Sequence, residues 1–298
     1  MTPEAAAAIA GSIAGATGRP CRIDHAAPVS GGCIHRSFRL DCGSRTWFVK
    51  LNDAAALPLF EAEAEGLIAL GTCTALAVPE PVAVGTGAGC AWIVMTWLDL
   101  APDATADAAL GHGLAELHRI AAAGFGWRRD NWIGATPQHN APTADAADWA
   151  AFFRDRRLAP QFALAARRGD EGRRVAADGE ALLAVIPTLL AGHAPLPSLL
   201  HGDLWRGNAA ATREGRGAIF DPAPYYGDRE TDLAMTELFG GFSPDFTAAY
   251  QAAWPVDAGY AVRRDLYNLY HVLNHFHLFG GDYGDRARRL VARLRAEA

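Results

Sequence analysis

At 298 residues, half of them apolar, the chain is long enough for one large domain or for two moderate lobes, each with its own core. A formal charge of −6 and a pI near 5.9 exclude a surface built for nucleic acid, which needs clustered lysine and arginine. No stretch approaches the roughly 20 apolar residues of a membrane span, and the N-terminus lacks a cationic start followed by an apolar core, so a cytoplasmic protein with no membrane partner is expected.

In chain order, the Ala-rich segment from Thr2 to Gly18 reads as a helix. Two strands follow, Arg36 to Leu40 and Thr46 to Leu51, joined by the turn Asp41 to Ser44 and preceded by the Gly31-Gly32 turn. Phe48 and Lys50 share one face of the second strand. A helix runs from about Pro58 to Leu70, a glycine-containing bend spans Gly85 to Gly89, and Ala91 to Met95 is another strand. Beyond Asp99 the pattern turns helical, with Asp107 to Ala123, Asp148 to Ala166 and Glu180 to Ala191 as helices. The loop at His201, a short strand Gly217 to Phe220 and three helix-rich segments complete the chain. A β-rich front third thus joins an α-rich remainder through Trp97 to Pro102, giving an N-terminal lobe over 1–98 and a C-terminal lobe over 99–298. The expected fold is α+β and bilobal, an antiparallel sheet with a helix in front and a larger, mainly helical lobe behind.

Chemistry concentrates in His201-Gly-Asp-Leu-Trp-Arg-Gly-Asn208 and in Asp221, thirteen positions on. Phosphoryl transfer needs a carboxylate beside the attacking hydroxyl and oxygen ligands that hold magnesium against nucleotide phosphates. Asp203 is the candidate base, and Asn208 and Asp221 are the candidate Mg2+ ligands. The Asp-to-Asn interval is that of the protein kinase loop H-R-D-x-x-x-x-N, but Gly202 replaces the arginine that commonly pairs with a phosphorylated activation loop. The pattern therefore points to a kinase of small molecules. The bland alternative is a loop of turn formers closing Asx turns, which Asp221 disfavours.

The nucleotide half of such a site lies in the front third. Gly31 and Gly32 occupy the position of a phosphate-covering turn, and Lys50 that of the lysine that contacts the phosphates. A glutamate on the next helix should hold Lys50. Glu61 and Glu65 share a face that suits solvent, which favours Glu63. Met95, Trp97 and Leu98 fall where the chain crosses between lobes and backbone groups can meet adenine. Asp232 either opens a helix, its charge favoured by the helix dipole, or braces the catalytic loop beside His201. Among the ten histidines, His118, His271, His275 and His277 lie in helical segments without a matching acid pair and read as core or surface residues rather than metal ligands. The basic runs Arg154 to Arg157 and Arg286 to Arg293 read as solvated helix faces.

The five cysteines, Cys21, Cys33, Cys42, Cys73 and Cys90, are odd in number and lack C-x-x-C spacing, which predicts neither a zinc site nor a disulfide framework. Cys33, beside the glycine turn, is a candidate redox handle that would link two molecules, the alternative being an inert thiol and a monomer.

Taken together, Gly31-Gly-Cys-Ile-His35, Phe48-Val-Lys50, Phe60-Glu-Ala-Glu63, Asp130-Asn-Trp-Ile-Gly134, Thr136-Pro-Gln138, the His201 to Asn208 loop, the run Asp221 to Phe242 and Leu269-Tyr-His-Val-Leu-Asn274 resemble the fructosamine kinase, or ketosamine-3-kinase, family. That family stands in the wider aminoglycoside phosphotransferase and choline kinase group. The resemblance covers nearly the whole chain, although Arg206 stands where a small residue such as serine is expected. It implies ATP and Mg2+ as cofactors and transfer of the γ-phosphate to the C3 hydroxyl of a ketosamine, with Trp205 as a wall for the sugar and Asp228 or Glu230 meeting the substrate amine. Two other readings stand beside it: a kinase for another small hydroxyl compound, such as an aminoglycoside or amino alcohol, and a non-catalytic nucleotide-binding regulator.

Overall fold

The computed structural model describes residues 1–30, 34–101, 106–141 and 147–298. Gly31, Gly32 and Cys33 lie outside the described residues. Helix α1 (Pro3–Thr17) starts where the Thr2 side chain accepts the Ala5 N–H and Pro3 sets the first turn, and it ends at Gly18, whose φ of 65° suits a residue without Cβ. Five strands form one antiparallel sheet: β1 (His25–Val29), β2 (Arg36–Cys42), β3 (Arg45–Asp53), β4 (Pro81–Gly87) and β5 (Cys90–Thr96), in the order β1-β2-β3-β5-β4. Strand β1 and most of β4 carry weak alternation and are additions to the elements expected from sequence; Gly85 lies within β4, so the bend there is confined to Ala88-Gly89.

Alternation decides what the sheet covers. Trp47, Val49 and Leu51 of β3 with Trp92 and Val94 of β5 pack against Ile9 and Ile13 of α1. The other face sets Ile93 and Met95 against Phe60 and Leu67 of α2 (Leu57–Leu70), with Phe48 beside them. Lys50 shares that second face. At the rim, the Cys21 and Cys42 thiols touch at 2.9 Å, a proximity between free cysteines that spacing alone did not suggest.

The second lobe is helical: α3 (Asp107–His118), α4 (Trp149–Phe153), α5 (Ala159–Ala165), α6 (Gly169–Leu189), α7 (Glu230–Leu238), α8 (Pro244–Ala253), α9 (Tyr260–Phe279) and α10 (Tyr283–Ala296). One core gathers α4, α5, α6, α9 and α10, and another joins α3 and α8. The latter also takes Leu70, Cys73 and Leu76 from the front third, so apolar packing crosses the connector. No helix of the described residues is long and apolar enough to cross a membrane.

Arg157 departs from its expected solvated position: it is fully buried. A π-helical turn, Arg154–Leu158, separates α4 from α5 and adds a residue to the turn, rotating Arg157 inward. There it donates to the His139 carbonyl and to Asn140 Oδ1, with its guanidinium 3.9 Å from the Tyr225 ring centroid.

Small ladders position the loops that matter. β8 (Ser198–Leu200) pairs with β11 (Tyr225–Gly227), and β9 (Ala209–Ala211) with β10 (Gly217–Ile219). The His201 loop bridges β8 to β9, and Asp221 sits between β10 and β11, so two short antiparallel pairs bring the segments side by side. The hairpin of β6 (Asn131–Ile133) and β7 (Thr136–Gln138) buttresses them. Asn131 donates to the Pro224 carbonyl and Gln138 to that of Ala223.

Candidate active site

The backbone of the catalytic loop is held from both ends. Phe220 N–H donates to the Asn208 carbonyl and Ala223 N–H to that of His201. Gly202 has a φ of 81°, and a Cβ there would collide with the Ala223 carbonyl, so glycine satisfies both the left-handed conformation and the close approach. Asp221 is itself left-handed, at φ 59°, a conformation that aspartate tolerates better than most residues.

Asp232 accepts the N–H groups of His201 and Gly202 at 2.7 and 2.9 Å, while standing in the first turn of α7. Both sequence readings of this residue hold at once. His118, read as a core or surface residue, is fully buried; it donates to Asp232 at 3.2 Å and is met on its other nitrogen by the Tyr250 hydroxyl at 2.8 Å. Burial opposes ionisation of Asp232, but His118, His201 and the backbone donors outweigh it and hold its carboxyl below the usual range. His201 is buried, and its Nε2 donates to the Phe220 carbonyl. Burial lowers its pKa, which favours the neutral imidazole.

The four groups expected to carry chemistry come together. Asn208 Nδ2 donates to the Asp203 carbonyl at 2.8 Å and lies 3.4 Å from both Asp203 Oδ2 and the Asp221 carbonyl. Lys50 Nζ is 2.6 Å from Asp221 Oδ1 and 2.6 Å from Glu63 Oε1. Burial alone would pull the Lys50 ammonium down, but the two carboxylates push it above the ordinary lysine value. Glu61 and Glu65 face outward to Arg129 and Arg128, as their shared helix face required. For Asp203, burial, then the charges of Asp221 and Asp232, push the carboxyl up to about 7 against the opposing Asn208 hydrogen bond. A base near neutrality is suited to taking a proton from a hydroxyl.

Asn208 uses its amide nitrogen on the loop, which leaves Oδ1 free of protein donors among the described residues; Asp221 likewise keeps its second oxygen, with a side chain 43% exposed. Two oxygens without protein donors among the described residues fit Mg2+, which prefers one or two protein oxygens and completes its shell with phosphate and water.

Of the remaining expected site residues, Trp97 sits at the connector with its ring 6.3 Å from Phe48, and Arg39 stands over it at 5.1 Å. Leu98 is half-buried, while the Met95 side chain turns into the sheet core, leaving only its backbone for the cleft. Trp205 is 41% exposed, its indole lying where a Cβ on Gly207 would be. Arg206 leans away from the base: it pairs with buried Asp107 at 2.7 Å and covers Phe242.

Asp228 and Glu230 overturn the expectation of a substrate-facing role. They are 1% and 2% exposed. Asp228 accepts from His193, Tyr267 and the Glu230 N–H, and Glu230 accepts two hydrogen bonds from Arg263. Buried carboxylates so committed cannot reach a ligand amine. The same saturation leaves no oxygen free for a metal in the His193, Asp228 and Glu230 cluster, despite its ligand-like composition. A cleft of about 600 Å³ on the opposite face of α2 from Glu63, lined by Ile68, Phe125, Trp127 and Tyr226, holds none of the phosphate-site groups.

Sequence reasoning missed the supporting residues His118, Arg157, Asn131 and Gln138. The last two lay within motif runs already noted, but their partners, carbonyls some 90 positions away, leave no local signal.

The model of the fructosamine kinase family matches residues 5–297. A probable ketoamine kinase of Synechocystis sp. is 45% identical over 285 residues, covering 95% of this chain and 94% of that protein. A chloroplastic protein-ribulosamine 3-kinase of Oryza sativa subsp. indica is 37% identical, covering 92% and 80%. A crystal structure from Haemophilus somnus, provisionally assigned as a fructosamine-3-kinase, superimposes with a TM-score of 0.85 at 25% identity over 96% of both chains.

Proposed function

The chain belongs to the fructosamine kinase family, and on that footing we propose that it transfers the γ-phosphate of ATP to the C3 hydroxyl of a ketosamine. The observation that carries this reading is the convergence of Asp203, Asn208, Asp221 and Lys50 on one cleft. Asp203 receives the C3 hydroxyl proton as the oxygen attacks phosphorus. Lys50, kept charged by Glu63, holds the α- and β-phosphates. Asn208 Oδ1 and the Asp221 carboxylate would hold Mg2+, which when bound neutralises charge on the phosphate oxygens. Asp232, tied to the loop through two N–H groups, keeps Asp203 in place and never meets substrate. Trp205, two residues along the loop from Asp203, offers an exposed indole on which the apolar face of a sugar can rest. The product carries its phosphate on C3, next to the C2 ketone. Loss of a C1 proton gives the C1–C2 enaminol, which expels phosphate from C3 and leaves a C1 imine, and hydrolysis of that imine by water frees the amine.

The test is ATP consumption with Mg2+ and a panel of ribulosyl-lysine, fructosyl-lysine, free sugars and an aminoglycoside, with phosphorus NMR to locate the new ester. Turnover of a ketosamine at C3 is expected, and Asp203→Asn should lower kcat at least about a hundredfold. Preference for the aminoglycoside, or full activity of the variant, would overturn the assignment.

A further inference from the structure

Side chains of Phe48, Lys50 and Asn52 alternate onto the cleft face of β3. The row starts at Trp97 by the connector, passes the Lys50 ion pairs, and ends at Asn52, which meets His35. Register explains that meeting: Arg36 of β2 stands opposite Leu51, so His35 is the next residue outward, across from Asn52.

The protonation of His35 follows from its neighbours. Asn52 Oδ1 accepts the Asp53 N–H at 2.8 Å, which orients the amide and leaves Nδ2 to donate to the Ile34 carbonyl at 3.4 Å and to His35 Nδ1 at 2.8 Å. A neutral imidazole accepting at Nδ1 carries its proton on Nε2. Burial, with Lys50 adding to it against Asp221, holds the ring pKa down to about 4, so it is neutral at physiological pH. The ring rests on Phe60, centroids 4.9 Å apart, and stands near enough to Lys50 and Asp221 to feel both charges. Among the described residues no protein group accepts the Nε2 proton.

We propose that His35 Nε2–H donates a hydrogen bond to the terminal phosphate of the bound nucleotide, beyond the phosphates that Lys50 serves. His35 is then a phosphate-binding residue specific to the triphosphate, and adenine and the inner phosphates do not depend on it. The inference rests on the reading of this cleft as a nucleotide site.

Calorimetric titration of the whole protein with MgATP, MgADP and adenosine tests it, in wild type, His35→Phe, His35→Ala and His35→Gln. Phenylalanine keeps the contact with Phe60 without a donor; glutamine keeps an N–H at a similar reach. Both donor-free variants should weaken MgATP about tenfold, leave MgADP little changed and adenosine unchanged, while His35→Gln recovers most of the loss. The ATP-to-ADP affinity ratio does not depend on the folded fraction, so a poorly folded variant still reports. Wild-type ATP affinity in His35→Phe, or an equal loss for all three ligands, would sink the inference. Binding needs no acceptor, so a protein that binds MgATP yet phosphorylates no ketosamine would refute the proposed function alone.

Discussion

Asp203, the proposed base, meets two opposed demands, since the burial and neighbouring acids that would suit it to proton transfer also make it costly to the fold. Its folded pKa, about 7, lies well above that of an ordinary aspartate. Below about pH 4 both states hold the proton and nothing is lost. As pH rises towards 7 the unfolded chain releases the proton more readily, so stability falls across that window and the full penalty applies above it. A shift of this size is worth at most about 4 kcal/mol, and partial exposure reduces the expected cost to about 1–2 kcal/mol. Asp203→Asn should therefore melt about 2–3 °C above wild type at pH 8 and alongside it at pH 4, with activity lost. A lower melting temperature at pH 8 would contradict the account. At this scale the meeting of Asp203, Asn208 and Asp221 was legible, because the three are close along the chain and their spacing brings them together. Asp228 and Glu230 were misread for the converse reason: His193, Tyr267 and Arg263, which occupy them, come from remote segments.

Helix α2 shows how an element places a site through one missing atom group. A Cβ on Gly66 would stand 2.6 Å from Pro224 Cγ, so glycine lets the helix lie against the segment following Asp221. That approach sets Glu63 within reach of Lys50. An alanine would ordinarily strengthen an isolated helix by about 1 kcal/mol; here it should force α2 outward and loosen the Glu63–Lys50–Asp221 bridge. Gly66→Ala is expected to reduce kcat/KM for MgATP about tenfold or more, measured by steady-state kinetics. Unaltered kinetics would show that the helix position is not what tunes Lys50. The boundaries of α2 and β3 were readable from periodicity. The π-turn at Arg154–Leu158 was not, because an inserted residue changes which face points inward without altering composition.

Across the whole molecule, the two lobes expected from composition share apolar packing. Leu70, Cys73 and Leu76 enter the core built on α3 and α8, and Ala77 exchanges backbone hydrogen bonds with Gly217 and Ile219. Each buried leucine is worth about 1.5–3 kcal/mol, against a total stability of about 5–15 kcal/mol. Scanning calorimetry of the full chain should accordingly show one transition, and a 99–298 fragment should show no cooperative melting; two separate transitions, or a cooperative fragment, would contradict the coupling. By itself the sequence determined the α+β division and the grouping of the His201 loop, Asp221 and Lys50, since each depends on residues neighbouring in the chain or on a strand's alternation. Only the tertiary structure decided which carboxylates stay open to the cleft, which histidine braces Asp232, and where His35 points. Those outcomes depend on hydrogen-bond partners and packing surfaces that the fold brings together from distant parts of the chain.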